Sequence, residues 1–319
     1  MRTLARLSLR IQRFELGAVV VLVGVMTAAA LVVRGKLIGL GATPTCFSDW
    51  FELGPSGGEA CQDVVQRFFE IDNAEAIPIM TGMAFVPLVA GLLLGVALVA
   101  REIETGTAAP AWALAGSRTR WLAGRVLPMA FALVIILGFA AVASELLTIA
   151  RQPWVPAGLS FADAGGHGLV IVLRGLMAFA LALSIGAVLG KTLPALIVSA
   201  ALIAVVVLAS GIQKDQWLQG DVVYLPNDVN GFTLPGGVLM ASMSRATDGR
   251  VVSDEEAFAL APPGEDPSAW VAQNFESVYA AVPGTEYPRY AILEGVTLGV
   301  LTILAVIITV AVVERRRPV

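Results

Sequence analysis

Six long apolar runs constrain this chain more than any other feature: Leu16–Val33, Ile77–Ala100, Leu127–Ala150, Gly168–Gly190, Leu193–Ile212 and Tyr290–Val313. Each holds 18 to 24 residues, and about 20 residues of helix cross a hydrocarbon core of roughly 30 Å. Backbone N–H and C=O groups find no water inside lipid and must pair within their own segment, so the runs predict helices. Composition points the same way. Charged residues make up 14% of the chain and hydrophobic ones 57%, whereas a soluble domain carries roughly 25% charged residues. The expected fold is an all-α polytopic membrane protein with six transmembrane helices. The first run follows arginines as a signal peptide does, but signal h-regions span about 7–15 residues and this run has 18. It is read as a retained span. A net charge of −4 argues against a nucleic-acid partner.

Basic residues orient the spans. Arg2, Arg6, Arg10 and Arg13 precede the first run, and Arg101, Arg118, Arg120 and Arg125 follow the second. Lys191 follows the fourth, and Arg315, Arg316 and Arg317 close the chain. In contrast, residues 34–76 hold three basic and seven acidic groups, and residues 213–289 hold four and eleven. Both termini are therefore expected in the cytoplasm and both acidic loops outside. Residues 1–15 place Leu4, Leu7, Ile11 and Phe14 on one stripe and arginines near the other, the pattern of a helix lying in the headgroup plane. Spans one to five then occupy 16–212, an external cap 213–289, and the sixth span with its basic tail 290–319. Short helices are expected in the cap near 236–244 and 267–281.

Cys46 and Cys61 are the only cysteines, and both fall in the first external loop. Oxidation is permitted there, and a bridge would contribute on the order of 3 kcal/mol by closing the loop. Two thiols with the lone His167 far off make a poor metal site, so none is expected.

The stretch "AREIETGTAAPAWALAGSRTRWLAGR", 100–125, joins spans two and three. Gly106 is suited to end the second span in a left-handed cap. Thr107 can then start a short helix, about Ala108–Ala115, with Pro110 in its first turn. Gly116 ends it, and Ser117 can cap the helix that rises into span three. A helix this short is marginal alone, so it implies something packed on it. This stretch resembles the Glu-x-x-x-Gly-Thr … Ser-Arg region that follows the second of six spans in ABC-2 type transporter permeases. "LSIGAVLGKTLPALIVSAAL" is similar to the hairpin between that family's fourth and fifth spans. The resemblance implies a permease of the bacterial cytoplasmic (plasma) membrane, paired with a second permease copy or paralogue. It also implies a separate ABC ATPase subunit that docks on the short helix and carries the ATP and Mg. Residue by residue, Glu102, Glu104, Gly106, Thr107, Ser117 and Arg118 fall on the motif. The carboxylates are expected to contact the ATPase, and Gly106 with Thr107 to aim the short helix.

The chain itself lacks a phosphate loop. "GAVLGKT" at 186–192 imitates one, but G-x-x-x-x-G-K-[ST] needs glycine at 185, where Ile185 stands. Three ionisable residues lie within the runs: Glu145, Arg174 and Glu294. Charges there are costly and usually pair or face a cavity. Their similar depth predicts an ionic layer with Arg174 between two carboxylates, acting as an external gate or as plain glue between helices. Pro87 and Pro128 are expected to kink spans two and three. The resemblance implies an ATP-driven exporter, and aliphatic spans with few aromatics fit an amphipathic or lipid-like cargo. A proton-coupled carrier or a non-transporting membrane adaptor are the alternatives.

Overall fold

The computed structural model describes residues 12–53, 59–163, 165–226 and 234–316. The amphipathic tail expected over 1–15 falls outside them as far as residue 11, as does Arg317. Among the described residues, six helices are long and apolar enough to cross a membrane. Span one is α1, Arg13–Gly39. Two shorter helices follow, α2 (Pro44–Leu53) and α3 (Glu59–Ile71). Through a π-helical turn at Asp72–Ala76, α3 runs straight into span two, α4 (Ile77–Glu104). The short α5 (Ala108–Ala115) leads to span three, α6 (Arg118–Arg151). Spans four and five are α7 (Leu169–Leu189) and α8 (Thr192–Gly220). Span six, Tyr287–Arg315, is α11 once the two short helices of the preceding loop are counted. The helices continue through Pro87 and Pro128. Span five outruns its apolar core, ending at Gly220 rather than near residue 212.

Spans two and four form the buried centre, while the other four present apolar side chains such as Phe131, Phe139, Leu208 and Ile303 outward, where lipid tails would meet them. Close approach of the central pair depends on glycine. A Cβ on Gly91 would lie 2.3 Å from the Gly175 carbonyl oxygen and 2.7 Å from the Phe179 nitrogen. One on Gly95 would lie 2.4 Å from the Phe179 oxygen. With no gain from excluding water between helices in lipid, backbone contact of this small-xxx-small kind is a main source of helix association.

The segment between spans five and six corrects the expectation of helices near 236–244 and across 267–281. It is a four-stranded antiparallel sheet in the order β1-β4-β2-β3. The strands are β1 (Val223–Pro226), β2 (Val238–Ala246), β3 (Val251–Ser253) and β4 (Phe275–Val282). Two short helices accompany it: α9 (Asp254–Ala259), with a Ser253–Glu256 capping box, and α10 (Pro267–Asn274), capped by Asp266. Only the first part of 267–281 is therefore helical. Phe275, Val278, Tyr279 and Val282 favour a pleated strand, and β4 finds partners on both sides. The Gly236–Gly237 pair, with Gly236 at φ +69°, turns the chain into β2. The sheet rests on the ends of spans five and six through Phe161, Leu218, Val282, Tyr287 and Tyr290. Asp221 accepts hydrogen bonds from the Tyr290 hydroxyl at 2.6 Å and from Arg289 at 2.8 Å. The tyrosine bond foremost holds the Asp221 carboxyl below its ordinary value.

Cys46 and Cys61 are joined in a disulfide, Cα to Cα 5.4 Å, which ties α2 to α3. Phe47 packs edge-on against Phe68 at 4.8 Å and lies 4.7 Å from Trp154. The bridge thus clasps a hairpin that also carries this aromatic contact. Cys46→Ser is expected to lower the Tm by an amount reflecting about 2–4 kcal/mol and to remove the mobility shift on reduction in gel electrophoresis. An unchanged Tm would show that the aromatic cluster holds the hairpin alone.

Candidate functional site

The termini-bearing face carries the break between spans two and three. Gly106 takes φ +72° and Gly116 φ +74°, conformations that a Cβ disfavours; between them α5 spans Ala108–Ala115. Ser117 caps span three, its hydroxyl accepting from the Arg120 N–H at 3.2 Å. Thr107 departs from the expected role. It has helical φ and ψ and no side-chain cap bond. Its hydroxyl instead reaches back to the Glu102 carbonyl at 3.3 Å and to Thr105 at 3.0 Å, closing the turn. Ala108 and Trp112 are buried, Trp112 meeting Trp121 edge-on at 5.8 Å. The Arg118 guanidinium lies 4.9 Å over the Trp112 ring. Thr107, Pro110, Ser117 and Arg120 stay exposed.

The charged motif residues are engaged within the chain. Glu102 pairs with Arg125 of span three at 2.7 Å, both nearly buried. Glu104 accepts from the Thr192 N–H at 2.9 Å and from its hydroxyl, so it caps span five from another helix. Arg118 donates to the carbonyls of Val313 at 3.3 Å and Glu314 at 2.7 Å, which caps span six. Arg101 meets Glu15 at the foot of span one at 3.0 Å. Arg316 reaches the Ala187 and Val188 carbonyls at the end of span four. The element 101–118 is therefore tied directly to spans one, three, five and six, and through Arg316 to span four. Sequence reasoning found Glu102, Glu104 and Arg118 by their motif and missed their partners, because Thr192 and Glu314, 88 and 196 positions away, leave no local signal.

The phosphate-loop mimic lies in the same region. Gly186 to Leu189 finish span four, Gly190 turns at φ +63°, and Thr192 opens span five. No strand leads into it.

At the opposite, sheet-bearing end the expected ionic layer is divided. Arg174 donates to Glu294 through Nε at 3.0 Å and Nη2 at 2.7 Å. Glu145 does not join them. It faces His167 Nδ1 at 2.8 Å, and the His167 ring stacks on Tyr287 at 5.2 Å. The loop after span three folds back and sets His167 immediately before span four, facing Glu145 of span three. A second cluster went unread in the sequence. Arg151 bonds Asp72 at 2.5 Å and also Asp163, linking the π turn, the end of span three and the following loop.

Six helices long and apolar enough to cross a membrane, with ends on one face tied together by residues flanking one short helix, describe a multi-pass membrane protein. Residues 16–213 match the family described as ABC-2 membrane transporter related, and the chain belongs to that family, as the membrane permease part of an ABC transporter. Permeases of this kind carry no ATPase site of their own and generally work with an ABC ATPase. No curated protein and no solved structure matches the chain.

Proposed function

We propose that this chain is the permease subunit of an ATP-driven exporter of amphipathic or lipid-like cargo, working as a dimer with a second copy or paralogue. A separate ABC ATPase docks on α5 from the cytoplasm and binds the ATP and Mg. The arginine-rich face is the cytoplasmic one, and the disulfide and the sheet lie outside. The observation that carries the reading is the set of links radiating from 101–118. A docked subunit needs a foothold that moves several spans together, and bonds from Glu102, Glu104 and Arg118 reach spans three, five and six.

The roles divide by which side chains bond to other spans. Thr107, Pro110, Ser117 and Arg120 offer the contact surface, with Gly106 and Thr107 setting its angle. Glu102, Glu104 and Arg118 pass the displacement inward. Pro110→Arg combined with Arg120→Glu is expected to abolish co-purification with the ABC ATPase that accompanies the chain in its native membrane. Glu104→Ala is expected to keep the ATPase bound while cutting its stimulation by the permease several-fold. Full binding and stimulation in both variants, or no ATPase recovered with the unaltered chain, would defeat the reading.

A further inference from the structure

A cavity of about 270 Å³ opens between spans five and six, lined by Val206, Ser210, Lys214 and Trp217 on one side and Glu294 and Leu301 on the other. With Arg174, which bonds Glu294, two cations stand against one carboxylate at this cavity. Glu294 is held by two hydrogen bonds from Arg174. Lys214 makes no ion pair among the described residues; its ammonium lies 5.9 Å from the Phe161 ring centroid. Asp215, its neighbour on the helix, does not line the cavity. Lys214 stands two residues past Ile212, where the apolar run of span five ends, so it lies at the level of the membrane surface. A cation at that level can meet the anionic headgroup of a lipid.

The walls change character with depth. Val206 lies eight residues, about 12 Å, deeper than Lys214 along span five, and Leu298 and Leu301 lie deeper than Glu294 along span six. The cavity is cationic near the membrane surface and apolar toward the middle, the polarity of a lipid seen end-on. Its volume falls just under the roughly 300–1,000 Å³ of ordinary ligand pockets, enough for a headgroup and the start of a chain. We propose that this cavity binds a membrane lipid with an anionic headgroup, which Lys214 holds while the first part of an acyl chain lies on Val206, Leu298 and Leu301. The site is independent of ATPase docking.

The test is the Tm of the purified chain in neutral detergent, titrated with dioleoyl phosphatidylglycerol, dioleoyl phosphatidylcholine or inorganic phosphate. The phosphatidylglycerol is expected to raise the Tm by about 5 °C at saturation, and the other two to have little effect. Lys214→Gln should lose the shift and Lys214→Arg should keep it. Ala209→Trp, which narrows the cavity and leaves Lys214 in place, should also lose it and serves if Lys214→Gln does not fold. An equal shift with phosphatidylcholine or phosphate, a shift that survives both Lys214→Gln and Ala209→Trp, or none in the unaltered chain would overturn the proposal.

Discussion

Replacing Arg151 by alanine is expected to destabilise the protein by about 3 kcal/mol, the low end of the 3–5 kcal/mol seen when one partner of a buried ion pair is removed. The side chains of Arg151, Asp72 and Asp163 are 10%, 15% and 19% exposed, so solvent screening takes part of the cost. The remainder is set by what alanine leaves behind: two carboxylates facing one pocket without a counter-charge. Burial already pushes the Asp163 carboxyl above its ordinary value, with the Arg151 guanidinium pulling the other way. Without that guanidinium it rises further. A carboxyl raised in the folded state gains stability as pH falls, because the folded chain binds the proton more tightly than the unfolded one. The unaltered protein, in which the Arg151 guanidinium opposes that rise, gains less over the same range. The gap between the two Tm values should therefore narrow as pH is lowered toward about 4. Asp72→Asn and Asp163→Asn added to Arg151→Met should recover most of the loss. A gap that stays constant with pH would mean that Arg151 acts through its packing alone.

Gly91→Leu is expected to yield no stably folded protein. One added methylene in a packed core costs about 1–3 kcal/mol. Here even the first carbon would meet backbone, 2.3 Å from the Gly175 oxygen, and backbone cannot move aside as a side chain does. Four carbons would part the two central spans and approach the roughly 5–15 kcal/mol by which a whole protein is stable. Gly91→Ala should give a measurable loss of Tm in detergent, and Gly95→Ala a similar one. Gly138, also inside a span, has nothing within 4 Å of its added Cβ. Gly138→Ala should leave the Tm within the range of a neutral surface change, about ±0.5 kcal/mol. Equal effects at Gly91 and Gly138 would rule out the close contact as the cause.

The apolar runs could be read as spans because lipid leaves the backbone a single local option. The breaks at Gly106, Gly116 and Ser117 were legible for a related reason, since cap chemistry is confined to a few neighbouring residues. The sheet was harder. "VLMASMSRA" has no strong period of its own, and it becomes a strand because β4 lies beside it. Signals that did exist there were passed over, notably the Ser253–Glu256 box and the β-favouring residues from Phe275. The ionic layer misled because depth along a span says nothing of rotation about its axis. Glu145 and Glu294 lie at similar depths, yet only Glu294 meets Arg174. Gly91 and Gly95 form a small-xxx-small pair plainly visible in "GLLLG", but nothing local named the helix they would face.

The placement of β4 has a mechanical outcome. This strand is hydrogen-bonded on both edges, to β1 and β2, and after Pro283 and a single 3-10 turn at Gly284–Glu286 it becomes span six. Span six is gripped at its far end by Arg118. A tug on that arginine therefore acts on a continuous rod whose other tip is the keel of the sheet. When the rod leans the sheet is expected to follow it, hinged on span five, which leads into β1.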